Sequence, residues 1–280
     1  MSYTGETAYI TGGASGIGRF VATALAKKGM KIFIADRNLE GALETVKALN
    51  KDCHTAWAVK IDVEDWESQR GGFEAAVKEL GRIDYVFAVA GIFEQSWLPN
   101  RVGATTFEKP NLTTIDVNGT GVMYTSALAI QQFRRQAPSK YGFRGKIIIV
   151  SSGASFYSIP AMPIYCASKN AVVGFVRTMG KLVAEEQMTL NAICPGIVRT
   201  AISGGSFYEI AEEKGVLVSP ETIVSSFESL LGTNPASGDA IEVMPGQFLV
   251  KPGAEFTNEK CEESVVLTYK RTLEARAKAS

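Results

Sequence analysis

The chain has 280 residues, of which 46% are hydrophobic and 21% are charged, a balance typical of a globular protein and unlike that of a disordered one. Its 29 basic and 29 acidic residues leave a formal net charge of +0, which argues against nucleic acid or an anionic membrane surface as a partner. The length favours one large α/β domain over two small ones.

The sequence also bears on location and metal binding. The N-terminal residues lack the pattern of a secretory signal, and apolar runs such as residues 147–150 are too short to span a bilayer. His54 is the only histidine and lies in a polar stretch, so we expect it at the surface and expect neither a His-based triad nor a zinc site. We predict a cytoplasmic protein without metal, in which four scattered cysteines are reduced thiols: Cys53, Cys166, Cys194 and Cys261.

Short apolar or β-branched runs alternate with longer segments of helical period along most of the chain. The predicted strands are residues 7–11, 31–35, 56–61, 85–90, 146–150, 190–194 and 240–243, and we expect the last of these to end the sheet. Helices are predicted over residues 17–28, 39–50, 65–80, 113–135 and 163–186, and after the cap-like sequence Ser219-Pro220-Glu221. This alternation predicts a doubly wound parallel α/β sheet of the Rossmann type.

The sequence predicts a single folded unit with one appendage. We assign residues 1–255 to a dinucleotide-binding and catalytic domain, and residues 256–280 to a charged C-terminal tail that we expect to be helical. Ligands of such sheets bind beyond the carboxyl ends of the strands. Functional residues should therefore follow the predicted strands.

A glycine-rich turn, Thr11-Gly12-Gly13-Ala14-Ser15-Gly16-Ile17-Gly18, joins the first strand to the first helix. Glycines let the backbone approach a pyrophosphate, whose charge the helix N-terminus stabilises. Asp36 ends the second strand, where a carboxylate accepts hydrogen bonds from the adenosine ribose and repels a phosphate. Arg37 could favour a phosphate, but we expect the carboxylate to dominate and predict NAD over NADP.

A second pattern predicts the reactive groups. Tyr165 and Lys169 are four residues apart, on one face of a helix. A tyrosine has a pKa of about 10, and a neighbouring ammonium favours its phenolate form. Ser152 follows a strand, so its hydroxyl could hold the oxygen of a substrate while Tyr165 exchanges a proton.

These motifs resemble those of the short-chain dehydrogenase/reductase family over residues 7–245. The features that match are Thr11-Gly-x-x-x-Gly16-Ile-Gly18, Asp62-Val63, Ala90-Gly91, Asn118, Ser152, Tyr165-x-x-x-Lys169 and Pro195-Gly196-x-x-x-Thr200. The resemblance implies an NAD-dependent alcohol dehydrogenase with four catalytic residues: Asn118, Ser152, Tyr165 and Lys169. It implies that Asn118 holds a water that links Lys169 to solvent as a proton relay.

The resemblance also implies a cofactor site. Asp62 and Val63 would flank the adenine, Ala90 and Gly91 the ribose, and Ile197 and Thr200 the nicotinamide carboxamide, while Lys169 would bind the nicotinamide ribose. The full predicted set is Gly12, Ser15, Gly16, Ile17, Gly18, Asp36, Asp62, Val63, Ala90, Gly91, Tyr165, Lys169, Pro195, Ile197 and Thr200.

Within the family the chain is most similar to the NAD-linked hydroxyprostaglandin dehydrogenases. The similar segments are Asp36-Arg-Asn-Leu-Glu40, Tyr165-Cys-Ala-Ser-Lys169, Val173-Gly-Phe-Val-Arg177 and Leu190-Asn-Ala-Ile-Cys-Pro-Gly196. The chain has Ala88-Val-Ala-Gly91 where the family usually has Asn-Asn-Ala-Gly, and we expect the fold to be kept. Met162 replaces a glutamine that contacts substrate in those enzymes, which favours a bulkier apolar alcohol: a terpenoid, steroid, polyketide or lipid.

The substrate side of the site is less sharply marked. Residues 202–217 correspond to a lid in this family, and several apolar side chains are candidates either for the pocket or for ordinary packing: Phe93, Trp97, Phe156, Met162 and Phe207. Relatives pair through the two long helices, so we expect a homodimer or homotetramer. Two other hypotheses are an NAD-binding cyclase or isomerase without net redox chemistry and a cofactor-sensing protein without catalysis.

Overall fold

The computed structural model describes residues 2–51, 55–98, 102–200 and 206–279, and side chains up to residue 274. Cys53 and His54, about which the sequence made predictions, lie outside these ranges, as do Gly204 and Gly205 of the predicted lid. A central sheet runs through the described part of the chain, and helices cover both of its faces.

The central sheet has eight strands, seven of them parallel. Its strands are β1 (Thr7–Thr11), β2 (Lys31–Asp36), β3 (Ala56–Lys60), β4 (Tyr85–Ala88), β5 (Gly145–Val150), β6 (Met188–Pro195), β9 (Ala240–Met244) and β10 (Gln247–Val250). Their order is β10-β9-β6-β5-β4-β1-β2-β3. The chain therefore reverses its winding direction between β1 and β4, and at such a point the loops diverge to leave a ligand crevice. The predicted doubly wound sheet is confirmed.

One prediction about the sheet is wrong, because β9 does not end it. β10 follows β9 after the turn at Pro245 and Gly246 and pairs with it antiparallel, from Gln247 opposite Met244 to Val250 opposite Ile241. Gly246 has a φ of +73°, which glycine adopts without strain. A second, two-stranded sheet pairs β7 (Ile197–Val198) with β8 (Leu217–Val218).

Nine α-helices lie within the described residues: α1 (Gly16–Ala26), α2 (Leu39–Leu49), α3 (Trp66–Leu80), α4 (Thr113–Ile115), α5 (Gly121–Arg134), α6 (Pro163–Ala184), α7 (Ser206–Glu213), α8 (Pro220–Glu228) and α9 (Glu259–Ala279). The predicted start of α8 is confirmed, since the Ser219 side chain accepts from Thr222 N–H and Pro220 opens the helix. The continuous helix predicted over residues 113–135 is corrected, because a π-helical turn, Asp116–Thr120, separates α4 from α5.

The core consists of two layers, one on each face of the sheet. Neighbouring residues of one strand belong to opposite layers: Ile10 packs with Leu25 and Phe227, whereas Tyr9 packs with Phe73. β1, β4, β5 and β6 are buried along their whole length. Each buried Ile or Phe contributes roughly 1.5–3 kcal/mol. This packing fixes the strand ends from which the site is built.

α9 differs from the other helices, because all of its side chains described up to residue 274 are exposed to solvent. Among the described residues, no helix has the length and apolar character that crossing a membrane requires. In the same part of the chain, no cluster of three or more His, Cys, Asp or Glu residues is arranged to hold a metal ion.

Candidate active site

The loop between β1 and α1 is packed too tightly to accept side chains. A Cβ atom at Gly12, whose φ is +76°, would lie 2.7 Å from the backbone of Ala90. One at Gly18 would lie 2.2 Å from the carbonyl oxygen of Gly12. In the described chain, Ser15 at the N-cap of α1 makes no side-chain capping bond, and the first turn of α1 has no acidic residue. Its N–H groups are thus available to an anion such as a pyrophosphate.

Backbone hydrogen bonds hold Asp36 at the end of β2. Its Oδ2 accepts from Ala14 N–H at 2.9 Å, and its Oδ1 accepts from Asn38 N–H at 2.8 Å. These bonds orient the carboxylate at the edge of the cleft, where Arg37 is also found. The remaining lone pairs can accept from the hydroxyls of a ribose.

Ser152 and Tyr165 come together beyond the end of β5. Ser152 precedes a short 3₁₀ turn, Gly153–Ser155, and its Oγ accepts from Ala154 N–H at 3.1 Å. Burial raises the pKa of Tyr165 above its ordinary value, and the neighbouring Ser152 hydroxyl offsets only part of that rise. The phenol is therefore neutral at neutral pH in the absence of an added positive charge.

Lys169 lies beneath the ring of Tyr165, one helical turn further along α6. Its Nζ is 5.6 Å from the centroid of that ring and donates to the Val150 carbonyl at 3.1 Å. Burial lowers the pKa of Lys169 to about 8. The hydroxyls of Ser151 and Ser155 donate to the Lys169 carbonyl at 3.1 and 2.9 Å, which fixes this turn of α6 against β5.

Asn118 is fully buried on the π-helical turn, and its amide holds the chain that follows β4. Its Oδ1 accepts from Ile92 N–H at 2.8 Å, and its Nδ2 donates to the Ile92 carbonyl at 2.9 Å and to Ser168 Oγ at 3.3 Å. A Cβ at Gly91 would lie 3.0 Å from Asn118 Oδ1 and 3.6 Å from Lys169 Nζ. Gly91 thus lets Asn118 and Lys169 approach each other.

The chain that follows β6 closes the opposite side. Thr200 is fixed by Tyr208 of α7, whose hydroxyl donates to the Thr200 carbonyl at 3.1 Å and accepts from its N–H at 3.2 Å. A Cβ at Gly16 would lie 2.9 Å from Thr200 Cγ2, so this segment packs directly on the glycine-rich loop. The described part of the predicted lid is therefore attached to the floor of the site.

A single cleft of about 1270 Å³ joins these groups. Every residue predicted for the cofactor lines it, as do Ser152, Tyr165 and Lys169, whereas Asn118 lies behind its wall. Among the predicted pocket residues, Phe93, Trp97, Met162 and Phe207 also line it. The sequence brings the nucleotide loop, the reactive groups and an apolar wall into one space.

Comparison with known proteins agrees with this geometry. The family described as short chain dehydrogenase matches residues 6–209. The chain belongs to this family. This short-chain dehydrogenase is 34% identical to the human (Homo sapiens) 15-hydroxyprostaglandin dehydrogenase (NAD(+)) over 207 residues, which cover 72% of this chain and 71% of that protein. It is 30% identical over 241 residues to short-chain dehydrogenase/reductase prx7 of Penicillium rubens, with 83% of each chain covered.

Solved structures share the fold of this short-chain dehydrogenase. A short-chain type dehydrogenase/reductase from Mycobacterium marinum superposes with a TM-score of 0.74 at 24% identity, covering 86% of this chain and 95% of that one. The resemblance predicted from the sequence motifs, including that to the hydroxyprostaglandin enzymes, is confirmed.

The structure corrects one pocket residue of this short-chain dehydrogenase. Phe156 does not line the cleft; its ring packs against the core, with the Arg177 guanidinium 6.0 Å and Lys251 Nζ 5.9 Å from its centroid. The 3₁₀ turn after Ser152 rotates the chain, so the next residue, Tyr157, faces the cleft instead.

Sequence reasoning missed other parts of the wall: Glu94, Gln95, Ser96, Leu98, Ile159, Pro160, Ala161 and Pro163. Most of them lie in two loops, after β4 and before α6, that carry no periodic pattern. The Pro160 and Pro163 pair marks the second loop as an irregular segment, but it does not indicate which side chains face inward.

Proposed function

We propose that the chain is an NAD-dependent dehydrogenase that interconverts a secondary alcohol and a ketone, with Tyr165 as the base of the oxidation. The observation that carries this proposal is the phenol of Tyr165 beside Ser152 and Lys169, in the same cleft as the glycine-rich loop. Relatives named 15-hydroxyprostaglandin dehydrogenase (NAD(+)) support the cofactor and the reaction class.

The proposed roles follow from the geometry. The hydroxyl of the substrate lies between Ser152 and Tyr165, where Ser152 donates to its oxygen and Tyr165 takes its proton. The glycine-rich loop and Asp36 would hold NAD, which would supply the acceptor for the hydride of the carbinol carbon, so that the alcohol would become a ketone with release of one proton. The reverse reaction uses Tyr165 as the acid.

Lys169, together with the positive nicotinamide that NAD would supply, favours the phenolate form of Tyr165. Its pKa of about 8 leaves it protonated at neutral pH, and a nearby ammonium favours the phenolate. Both N–H groups of the Asn118 amide are engaged by Ile92 and Ser168. A relay water at Asn118 would therefore donate to an oxygen of this residue, close to Gly91 and Lys169.

Residues at the nucleotide end favour NAD over NADP. The glycine-rich loop and the N-terminus of α1 accept the pyrophosphate, and Asp36 lies where a ribose hydroxyl can donate to it. A 2′-phosphate would meet the Asp36 carboxylate, which its two backbone N–H donors hold in place. Arg37 offers partial compensation.

The apolar wall supports a bulky substrate. Phe93, Trp97, Ile159, Met162 and Phe207 line the cleft on the substrate side of Tyr165. Burying such a surface favours an extended apolar body beside the reacting carbinol. We propose a terpenoid, steroid, polyketide or lipid alcohol.

The test is NADH formation at pH 7 to 9 over a panel of these alcohols, with NADP in parallel. Tyr165→Phe should lower turnover by about 100- to 10,000-fold, whereas Tyr124→Phe should leave it unchanged; Tyr124 lies on α5 and its ring packs on Trp66 at 5.4 Å. A loss of turnover below about tenfold in Tyr165→Phe would refute the assigned base. Tight NADH binding without turnover of any alcohol would instead support the cyclase or isomerase hypothesis.

We propose a homodimer or homotetramer that pairs through α5 and α6, and a cytoplasmic location. Light scattering after size exclusion tests the first proposal and cell fractionation the second.

We also propose that residues 1–255 form the catalytic domain, since the described side chains of α9 are exposed. A chain that ends at residue 255 should therefore retain turnover.

A further inference from the structure

The carboxylate of Glu94 caps the helix that carries Tyr165. Its Oε2 accepts from Tyr165 N–H at 2.5 Å and its Oε1 accepts from Ile164 N–H at 3.3 Å. The N-cap residue of α6 is Met162, whose side chain makes no capping bond, and Pro163 has no N–H to satisfy. The acceptor for the first turn of α6 therefore comes from a residue 70 positions earlier in the chain.

The same loop touches the ring of Tyr165. The centroid of the Phe93 ring is 5.3 Å from that of Tyr165, with 45° between the planes. Glu94 holds the backbone of Tyr165 while its neighbour Phe93 packs on the side chain. The two contacts limit both the position of the residue and the orientation of its ring.

The loop itself is fixed from behind. Asn118 bonds both backbone groups of Ile92. The buried Thr114 hydroxyl donates to the Phe93 carbonyl and accepts from Gln95 N–H, each at 3.3 Å. Glu94 is thus the link between an anchored loop and α6. The ligand-facing side of this loop also forms the substrate wall.

We propose that Glu94 is a positioning residue for the reaction: it sets the place of the Tyr165 phenol relative to Ser152 and Lys169. This inference rests on the proposed function. Without the cap, the first turn of α6 can fray, and Tyr165 lies in that turn. Lys169 would stay in place, because Ser151 and Ser155 hold its carbonyl one turn later. The distance between the two reactive groups would then vary.

The test compares Glu94→Ala and Glu94→Gln with Asp65→Ala. Asp65 is the matched control, since its carboxylate caps α3 through the N–H groups of Glu67 and Ser68 and does not line the cleft. NADH titration counts the competent sites, and turnover is expressed per site. A misplacement near 1 Å costs about 100-fold in rate, so we expect kcat per site to fall about 10- to 100-fold in Glu94→Ala, with KM for NAD unchanged.

Glu94→Gln keeps an acceptor oxygen at the same reach and should recover most of the lost kcat. Asp65→Ala should lower the urea midpoint and leave kcat per site at the wild-type value. The inference would be overturned if Glu94→Ala had the same kcat per site as the wild-type protein. It would also be overturned if Asp65→Ala lost as much kcat per site as Glu94→Ala. Turnover of Tyr165→Phe within about tenfold of wild type would show that the proposed function has failed, whereas a strongly impaired Tyr165→Phe beside a normal Glu94→Ala would refute the positioning role alone.

Discussion

Replacing Lys169 with methionine should stabilise the fold at neutral pH while it abolishes the reaction. Lys169 is 4% exposed, and burial lowers its pKa from 10.5 to about 8. Each unit of this pKa shift corresponds to about 1.4 kcal/mol, so burying the ammonium lowers the free energy of unfolding by roughly 3 kcal/mol at neutral pH. Methionine loses the hydrogen bond to Val150, which is worth about 1 kcal/mol. The net gain is about 2 kcal/mol.

The effect has a defined pH window. Below pH 8 Lys169 is protonated in both the folded and the unfolded chain, and the full cost of burying its ammonium is present. Between pH 8 and 10.5 the unfolded chain binds more protons than the folded one, so the wild-type chain becomes more stable as the pH rises. The variant has no such titration. Its advantage should therefore disappear by pH 10.5.

Urea unfolding of the cofactor-free wild-type and Lys169→Met proteins measures their free energies of unfolding at pH 7 and at pH 10.5. Lys146→Met is the matched control, because burial also lowers the pKa of Lys146 to about 8, at the opposite end of β5. It should gain less, since methionine loses both the hydrogen bond from Lys146 to the Asn234 carbonyl and the contact of its ammonium with the Phe143 ring, and it should keep full activity. A Lys169→Met variant less stable than wild type at pH 7 would refute the reasoning.

Three further substitutions separate the parts of the site. Tyr165→Phe should lower kcat by about 100- to 10,000-fold with NADH affinity kept, as measured by fluorescence titration; a loss below tenfold would contradict its role as base. Asp36→Ala should raise the NADP to NAD ratio of kcat/KM by at least about tenfold, since one charge at about 4 Å is worth roughly 1–4 kcal/mol; an unchanged ratio would point to Arg37. Gly18→Ala should abolish NADH binding, because its Cβ would meet the Gly12 carbonyl, and normal binding would rule out the tight loop.

The strands and helices that build the core were predictable because burial imposes a period on the sequence. β1 to β6 and β9 coincide with apolar runs, and right-handed crossovers place the connecting helices on the two faces of the sheet. β10 carries little of that signal, since it is a largely exposed edge strand, although Pro245-Gly246 marks the turn before it. The π-helical turn was not predicted from the sequence either. The helical pattern continues on both sides of it, and the extra residue changes only the local hydrogen bonding.

Several of the predicted site residues, such as Asp36, Gly91 and Ser152, lie at or just after strand ends, which the topology brings to one edge of the sheet. Glu94 could not be found in this way, because its partners are backbone N–H groups that no residue type identifies. Phe156 shows the opposite failure. Its position after β5 predicted that Phe156 lines the pocket. Because of a single 3₁₀ turn, its side chain packs on the core and Tyr157 lines the cleft instead.

The two halves of the cleft are held by different forces, and this bears on how substrate preference can change. The nucleotide half depends on glycine backbone packed against backbone, where an added methyl group has no room. The substrate half consists largely of exposed side chains such as Phe93, Leu98 and Phe207. Contacts from Ser151 and Ser155 on one side and from Glu94 on the other all end on α6. Substitutions of wall residues such as Leu98 and Phe207 can therefore alter the substrate while Tyr165 keeps its position, provided that Glu94 and Phe93 are retained.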